Sequence, residues 1–110
     1  MDIRPTILRR WSSRIRSEDA DEYTAYIEGT GLKEYARTPG NLGCEMLMRD
    51  LADGTVQVTT VSWWDSLDSI AAFAGKDIDK AVYYPEDERF LLEMPRNVEH
   101  HRIVAAAGRR

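Results

Sequence analysis

The sequence predicts an α+β sandwich whose strands and helices run in the order βαββαβ. Three observations carry that expectation. A chain of 110 residues is the size of one domain, since ~100–150 residues form a single self-sufficient core. Asp53-Gly54 stands between two apolar runs, the strongest short-range signal for a β-hairpin. On either side of that hairpin apolar residues recur at helical spacing, as Tyr23, Tyr26 and Ile27 before it and Leu67, Ile70, Ala71 and Ala74 after it.

Each element has a local reason. Residues 6–15 are rich in β-branched, aromatic and long side chains and end at a charge cluster, which reads as the first strand. From Ser17 the pattern turns helical. Ser17 or Asp19 is placed to cap, Asp19 and Glu22 have the spacing of a capping pair, and Gly29 and Gly31 end or break the helix. A short continuation through Leu32, Tyr35 and Ala36 stops at Thr38-Pro39-Gly40-Asn41, where the proline biases Thr38 away from helix. The hairpin strands are 42–51 and 55–64. Neither alternates cleanly between an apolar and a charged face, so both faces of the sheet are expected to be at least partly covered.

Asp65-Ser66 caps the next helix, which ends at Gly75. A second helical piece carries Ile78, Ala81 and Val82 and closes at Tyr83-Tyr84. A third starts at Pro85, with Phe90, Leu91 and Met94 as its buried stripe. The last strand is 98–106, and residues 1–5 and 107–110 are expected to fray. This order is that of the ferredoxin-like sandwich, with helices on one sheet face and a second copy of the chain as the natural cover for the other.

Lys and Arg number 15 and Asp and Glu 19, a formal charge of −4, and the 43% hydrophobic and 31% charged fractions are ordinary for a globular protein. No run approaches the ~20 apolar residues of a membrane span and no secretory leader is expected. Cys44, the lone cysteine, has no disulfide partner and reads as an inert core thiol in a cytoplasmic setting. Five arginines among residues 1–16 are interleaved with Ile7, Leu8, Trp11 and Ile15, so they flank a strand and do not form a nucleic-acid-binding arm. Ser-His-Asp order with an elbow glycine, a phosphate loop and metal-ligand spacing are all lacking, and no metal site is expected.

The stretch Thr38-Pro39-Gly40-Asn41-Leu42-Gly43-Cys44-Glu45-Met46-Leu47, then Asp53-Gly54, then Val61-Ser62-Trp63-Trp64-Asp65-Ser66-Leu67-Asp68-Ser69-Ile70 with Phe73, resembles the antibiotic biosynthesis monooxygenase family of dimeric α/β barrels. The likeness follows element order over about residues 6–104 and motif over 38–75. It implies a homodimer whose two sheets face each other, with a pocket in each subunit between sheet and helices. It implies cofactor-free oxygenation of a polyphenolic or quinol-like small aromatic molecule, or a non-catalytic binding protein of the same fold. The family also includes heme degraders, which carry an Asn on the first strand, an aromatic residue on the second helix and an iron-ligating His just beyond it. Here Arg10 or Trp11, Phe73 and Tyr83 stand at those positions. Heme is therefore not the favoured cofactor, although tyrosinate can ligate ferric heme.

His100 and His101 are adjacent on a strand and must point to opposite faces. One of them is either a proton acceptor for a phenolic substrate or a hydrogen-bonded structural residue. Trp63 and Trp64 also point opposite ways; each is a pocket wall or plain core, and Trp11 shares that ambiguity. Tyr83 and Tyr84 form either a lid, with a phenol donating to a bound oxygen, or a corner wedged over the core. Arg10 pairs with an anionic substrate or with an internal carboxylate.

Overall fold

Strict alternation along one long strand sets the frame. In the computed structural model, which describes residues 4–108, β1 (Ile7–Arg16) sends Arg9, Trp11, Ser13 and Ile15 to one side, and all four are buried. β3 (Thr55–Trp64) lies antiparallel beside it, with Trp11 opposite Thr60 and Ile15 opposite Val56. Val56, Val58, Thr60, Ser62 and Trp64 therefore share that side. β2 (Asn41–Asp50) and β4 (Glu99–Arg102) pair with the outer flanks, giving an antiparallel sheet of order β2-β3-β1-β4. This is the ferredoxin-like arrangement that the element order predicts.

A 3-10 turn (Ser17–Asp19) leads into α1 (Ala20–Gly29), followed by α2 (Gly31–Arg37), α3 (Leu67–Ala74) and the single turn α4 (Asp87–Phe90). Tyr23 and Ile27, one turn apart on α1, pack with Phe90, Leu91 and Val98 onto Trp11, Ile15, Val56 and Val58. A second cluster gathers Tyr35, Trp64 and Ile70. Both clusters lie on one side of the sheet. The other side carries Leu8, Leu47, Val61 and Trp63 among charged residues, and Leu47 is 49% exposed. Covering of both faces is thus not achieved within one chain.

The two halves of the motif stretch meet in space. Asp65 N–H donates to the Gly40 carbonyl at 3.0 Å, Ser69 Oγ donates to Asp65 Oδ1 at 2.6 Å, and the Ser66 hydroxyl accepts from Ser69 N–H as the cap of α3. Gly40 has φ +92°, and a Cβ there would lie 2.1 Å from Ser69 Oγ. Glycine is required twice over, by backbone conformation and by space.

Four expectations are corrected. Residues 78–84 are not helical. Ala81 N–H donates to Arg96 O and Val98 N–H to Asp79 O, so the segment runs extended beside the approach to β4. The Ile78 and Lys80 carbonyls are taken by the buried Arg9 guanidinium, and a helix would have consumed them internally. Met94 is 41% exposed, because the helix ends at Phe90 and the chain then runs extended along β1: Leu91 bridges Ile15, Leu92 N–H donates to Arg14 O, and Ser13 Oγ donates to Glu93 O. The last strand covers only Glu99–Arg102, and beyond it the Thr6 carbonyl accepts from Ile103 N–H. Neither Ser17 nor Asp19 caps α1 through its side chain; Asp19 instead pairs with Arg16 Nε at 3.0 Å. The fraying expected at the ends falls largely on residues 1–3 and 109–110, outside the described residues.

Candidate functional site

Which side chains can meet a ligand between sheet and helices is decided by the alternation of β1. On its helix-facing side lies a cavity of about 30 Å³, walled by Trp11 and Thr60 from the sheet, Tyr23 and Ile27 from α1, Tyr35 from α2, Phe73 from α3 and the 82–84 segment. Arg9 and Asp87 add the only charged groups to its lining.

Arg9 is 1% exposed. Its Nη1 donates to the Ile78 carbonyl at 2.5 Å and to His100 Nε2 at 2.9 Å, and its Nη2 donates to the Lys80 carbonyl at 3.1 Å. The guanidinium carbon stands 5.6 Å from the centre of the Phe73 ring. Among the described residues no carboxylate forms an ion pair with it, and its Nε has no partner. Because arginine only donates, His100 Nε2 must accept. The imidazole proton therefore sits on Nδ1, which donates to Asp79 Oδ1 at 2.9 Å. Burial pushes the His100 pKa down, the Arg9 charge adds to this, and Asp79 opposes it.

Asp87 opens α4 and is 3% exposed. One carboxylate oxygen accepts from Tyr84 N–H at 2.6 Å while the other has no partner, and burial raises its pKa. Burial and the Asp87 charge push the Tyr23 phenol well above its usual range, and its hydroxyl is also unpartnered. Burial lifts Tyr84 to about 12. Tyr83 is raised by burial too, and its hydroxyl is used on both sides, accepting from Trp11 Nε1 at 3.1 Å and donating to the Pro95 carbonyl. Among the described residues four buried side-chain polar atoms lack a partner. Three of them, Arg9 Nε, Tyr23 Oη and Asp87 Oδ1, belong to residues that line this one cavity. Native proteins seldom leave such atoms orphaned, and their concentration in one set of lining residues makes this cavity the candidate site.

Of the residues singled out in the sequence, the structure brings Trp11, Phe73, Tyr83 and Tyr84 together around this cavity. Arg10 and His101 lie on the opposite sheet face, where both approach Glu99, at 3.7 Å and 3.2 Å. Trp63 is on that face too, across from Leu8. Trp64 is on the helix side but fully buried, packed edge-on to Tyr35 with its Nε1 donating to Ser62 Oγ. His100 is on the helix side, does not line the cavity, and spends Nε2 on Arg9. Sequence reasoning missed Arg9, Tyr23, Tyr35 and Asp87. A signal for the first existed, since Arg9 is two residues from Trp11 on the same strand and must share its face.

Cys44 is half-buried with its thiol pKa raised by burial, the behaviour of an unreactive thiol. Among the described residues no group of three or more His, Cys, Asp or Glu is placed to hold a metal, and no helix is long and apolar enough to cross a membrane.

No protein-family model and no curated protein matches this chain. Solved structures do. A candidate antibiotic biosynthesis monooxygenase from Bacillus cereus aligns over 96% of this chain and 100% of its own at 11% identity, with a TM-score of 0.64. A monooxygenase from Streptomyces coelicolor, in complex with nanaomycin D, aligns over 99% and 96% at 15% identity and 0.61. A heme degrader from Mycobacterium tuberculosis, with two hemes in its active site, aligns over 93% and 99% at 15% identity and 0.61. At such identities the likeness is one of fold.

Proposed function

We propose that this chain, which has the fold of the antibiotic biosynthesis monooxygenases, is a homodimeric, cofactor-independent monooxygenase acting on a planar aromatic or quinol-type small molecule. The observation that carries the reading is the cavity itself, lined between sheet and helices by aromatic rings and by three residues that each hold an unpartnered buried polar atom. In such a reaction the substrate supplies all four electrons that dioxygen takes up, as in RH2 + O2 → R=O + H2O. A base removes one proton, the resulting carbanion or phenolate adds dioxygen to give a peroxide, and loss of the second substrate hydrogen with cleavage of the O–O bond leaves one oxygen atom as the new carbonyl and releases the other, with both hydrogens, as water.

The base that the cavity offers is Asp87, with an unpartnered Oδ1 and a pKa raised by burial. His100 and Tyr83, the proton carriers suggested by the sequence, act here through others: His100 orients Arg9, and Tyr83 fixes Trp11. A ring cannot enter the cavity as it stands, since benzene occupies a site of about 150 Å³. A wall has to move to admit one, and the 82–84 segment is the wall free of regular structure; its opening would break the Tyr83 hydroxyl's bonds to Trp11 and Pro95.

Heme is not the favoured ligand: Tyr83, which the resemblance places at the position of the iron ligand, donates its hydroxyl proton to the Pro95 carbonyl, and burial raises its pKa, so the tyrosinate that would bind iron is disfavoured.

Oxygen uptake with a panel of anthrone-like and quinol substrates tests the proposal. Turnover is expected without added metal or flavin, and Asp87→Asn should slow it by about 10²-fold or more. Absence of uptake across the panel would leave the second reading, a non-catalytic binding protein. The dimer is supported by Leu8, Leu47, Val61 and Trp63 on the sheet face that the helices do not cover. Light scattering should give twice the 12.6 kDa chain mass, and a monomer at micromolar concentration would overturn it.

A further inference from the structure

We propose that Arg9 is an anion-recognising residue and that the ligand of the cavity is a hydroxylated aromatic acid, its carboxylate paired with the Arg9 guanidinium. The inference rests on the preceding reading of the cavity as a ligand site and names the ligand's class.

A charge taken out of water is costly unless it is paired, and proteins ordinarily meet a buried arginine with a carboxylate. Arg9 is 1% exposed, and what holds it is two main-chain carbonyls and a neutral imidazole. These orient the guanidinium without cancelling its charge. The nearest acid in the chain of contacts is Asp79, and it is used at the far side of His100. Three of the five N–H groups are spent; Nε–H and the second N–H of Nη2 remain. Two N–H groups on nitrogens of the same guanidinium carbon match the two oxygens of a carboxylate. The other unpartnered atoms, Tyr23 Oη and Asp87 Oδ1, suit a hydroxyl, which can donate to the carboxylate and accept from the phenol. Trp11 and Phe73 supply flat walls for the ring. His100 and Asp79 are positioning residues for the guanidinium.

The test is a comparison of matched probes: salicylate with methyl salicylate, and a hydroxynaphthoate with its methyl ester, titrated at neutral pH by tryptophan fluorescence and calorimetry. Each acid should bind at least about tenfold tighter than its ester, the effect of one charge-assisted hydrogen-bond pair. Arg9→Met should abolish that preference, and Arg9→Lys should keep part of it. Equal binding of acid and ester, failure of both acids to bind at millimolar concentration, or an unchanged preference in Arg9→Met would overturn the proposal. Should Arg9→Met not fold, the wild-type acid-to-ester ratio decides alone. None of these readouts involves oxygen. Acid preference without oxygen uptake would remove the oxygenase reading and keep the anion site, and turnover of neutral quinols without acid preference would do the reverse.

Discussion

Trp64→Ala is expected to lower the unfolding free energy by about 3–5 kcal/mol, the range for truncating a large buried aromatic. The side chain has no exposed surface and is the largest of those fully buried. It packs against Tyr35 at 6.0 Å and Phe73 at 6.1 Å between ring centres, and its indole N–H is satisfied by Ser62. Truncation therefore opens a cavity between α2, α3 and the end of β3 and leaves the Ser62 hydroxyl unpartnered. Urea titration should show the midpoint falling at an unchanged slope, as a loss of stability without a change in native compactness requires. A loss under about 1 kcal/mol would mean that the site collapses around the deletion or that the second cluster contributes little.

Gly40→Ala is expected to cost about 2–4 kcal/mol, through two separable effects. The backbone sits at φ +92°, where a side chain adds about 1–3 kcal/mol of strain. The new methyl group would also lie 2.1 Å from Ser69 Oγ and 2.4 Å from Ser69 Cβ, pushing α3's first turn off its cap. The second effect is isolated by combining Gly40→Ala with Ser69→Gly in a double-mutant cycle. The pair should be coupled, with the combined loss smaller than the sum of the single losses. Simple additivity, read from urea midpoints, would show that the clash is relieved by movement of Ser69 and that strain alone matters.

Much of the fold was legible because its signals are local. Asp53-Gly54 turns the hairpin where a two-strand reading puts it, Ser66 caps α3, and Gly75 ends it. The 78–84 segment was not legible, since Ile78, Ala81 and Val82 have helical spacing, whereas the demand that straightens the chain comes from Arg9, 69 residues away from Ile78. Met94 is exposed for a related reason: once the helix ends at Phe90, the periodicity that made it part of a stripe no longer applies. For the site, the sequence identifies the aromatic residues and the strand. It does not say which alternate set of β1 faces the helices, and a change of one residue exchanges Arg10 for Arg9. Asp87 was hidden by a sufficient alternative explanation, since a carboxylate in the first turn of a helix is favourable whether or not it is buried.

The descent of residues 91–93 along β1 bears on how copies of this chain can associate. β4 pairs only with Ile7–Arg10 of β1, which would leave the remainder of that strand as an open hydrogen-bonding rim. Leu91, Leu92 and Glu93 occupy it through the Ile15 bridge, the Arg14 carbonyl and the Ser13 hydroxyl. Among the described residues the rims left to a second chain are β4, four residues long, and β2, which carries Glu45, Arg49 and Asp50. A short strand and a charged one are poor templates for strand addition. Runaway growth into an extended intermolecular sheet is thereby discouraged, and the broad flat of the sheet is left as the surface on which association can close.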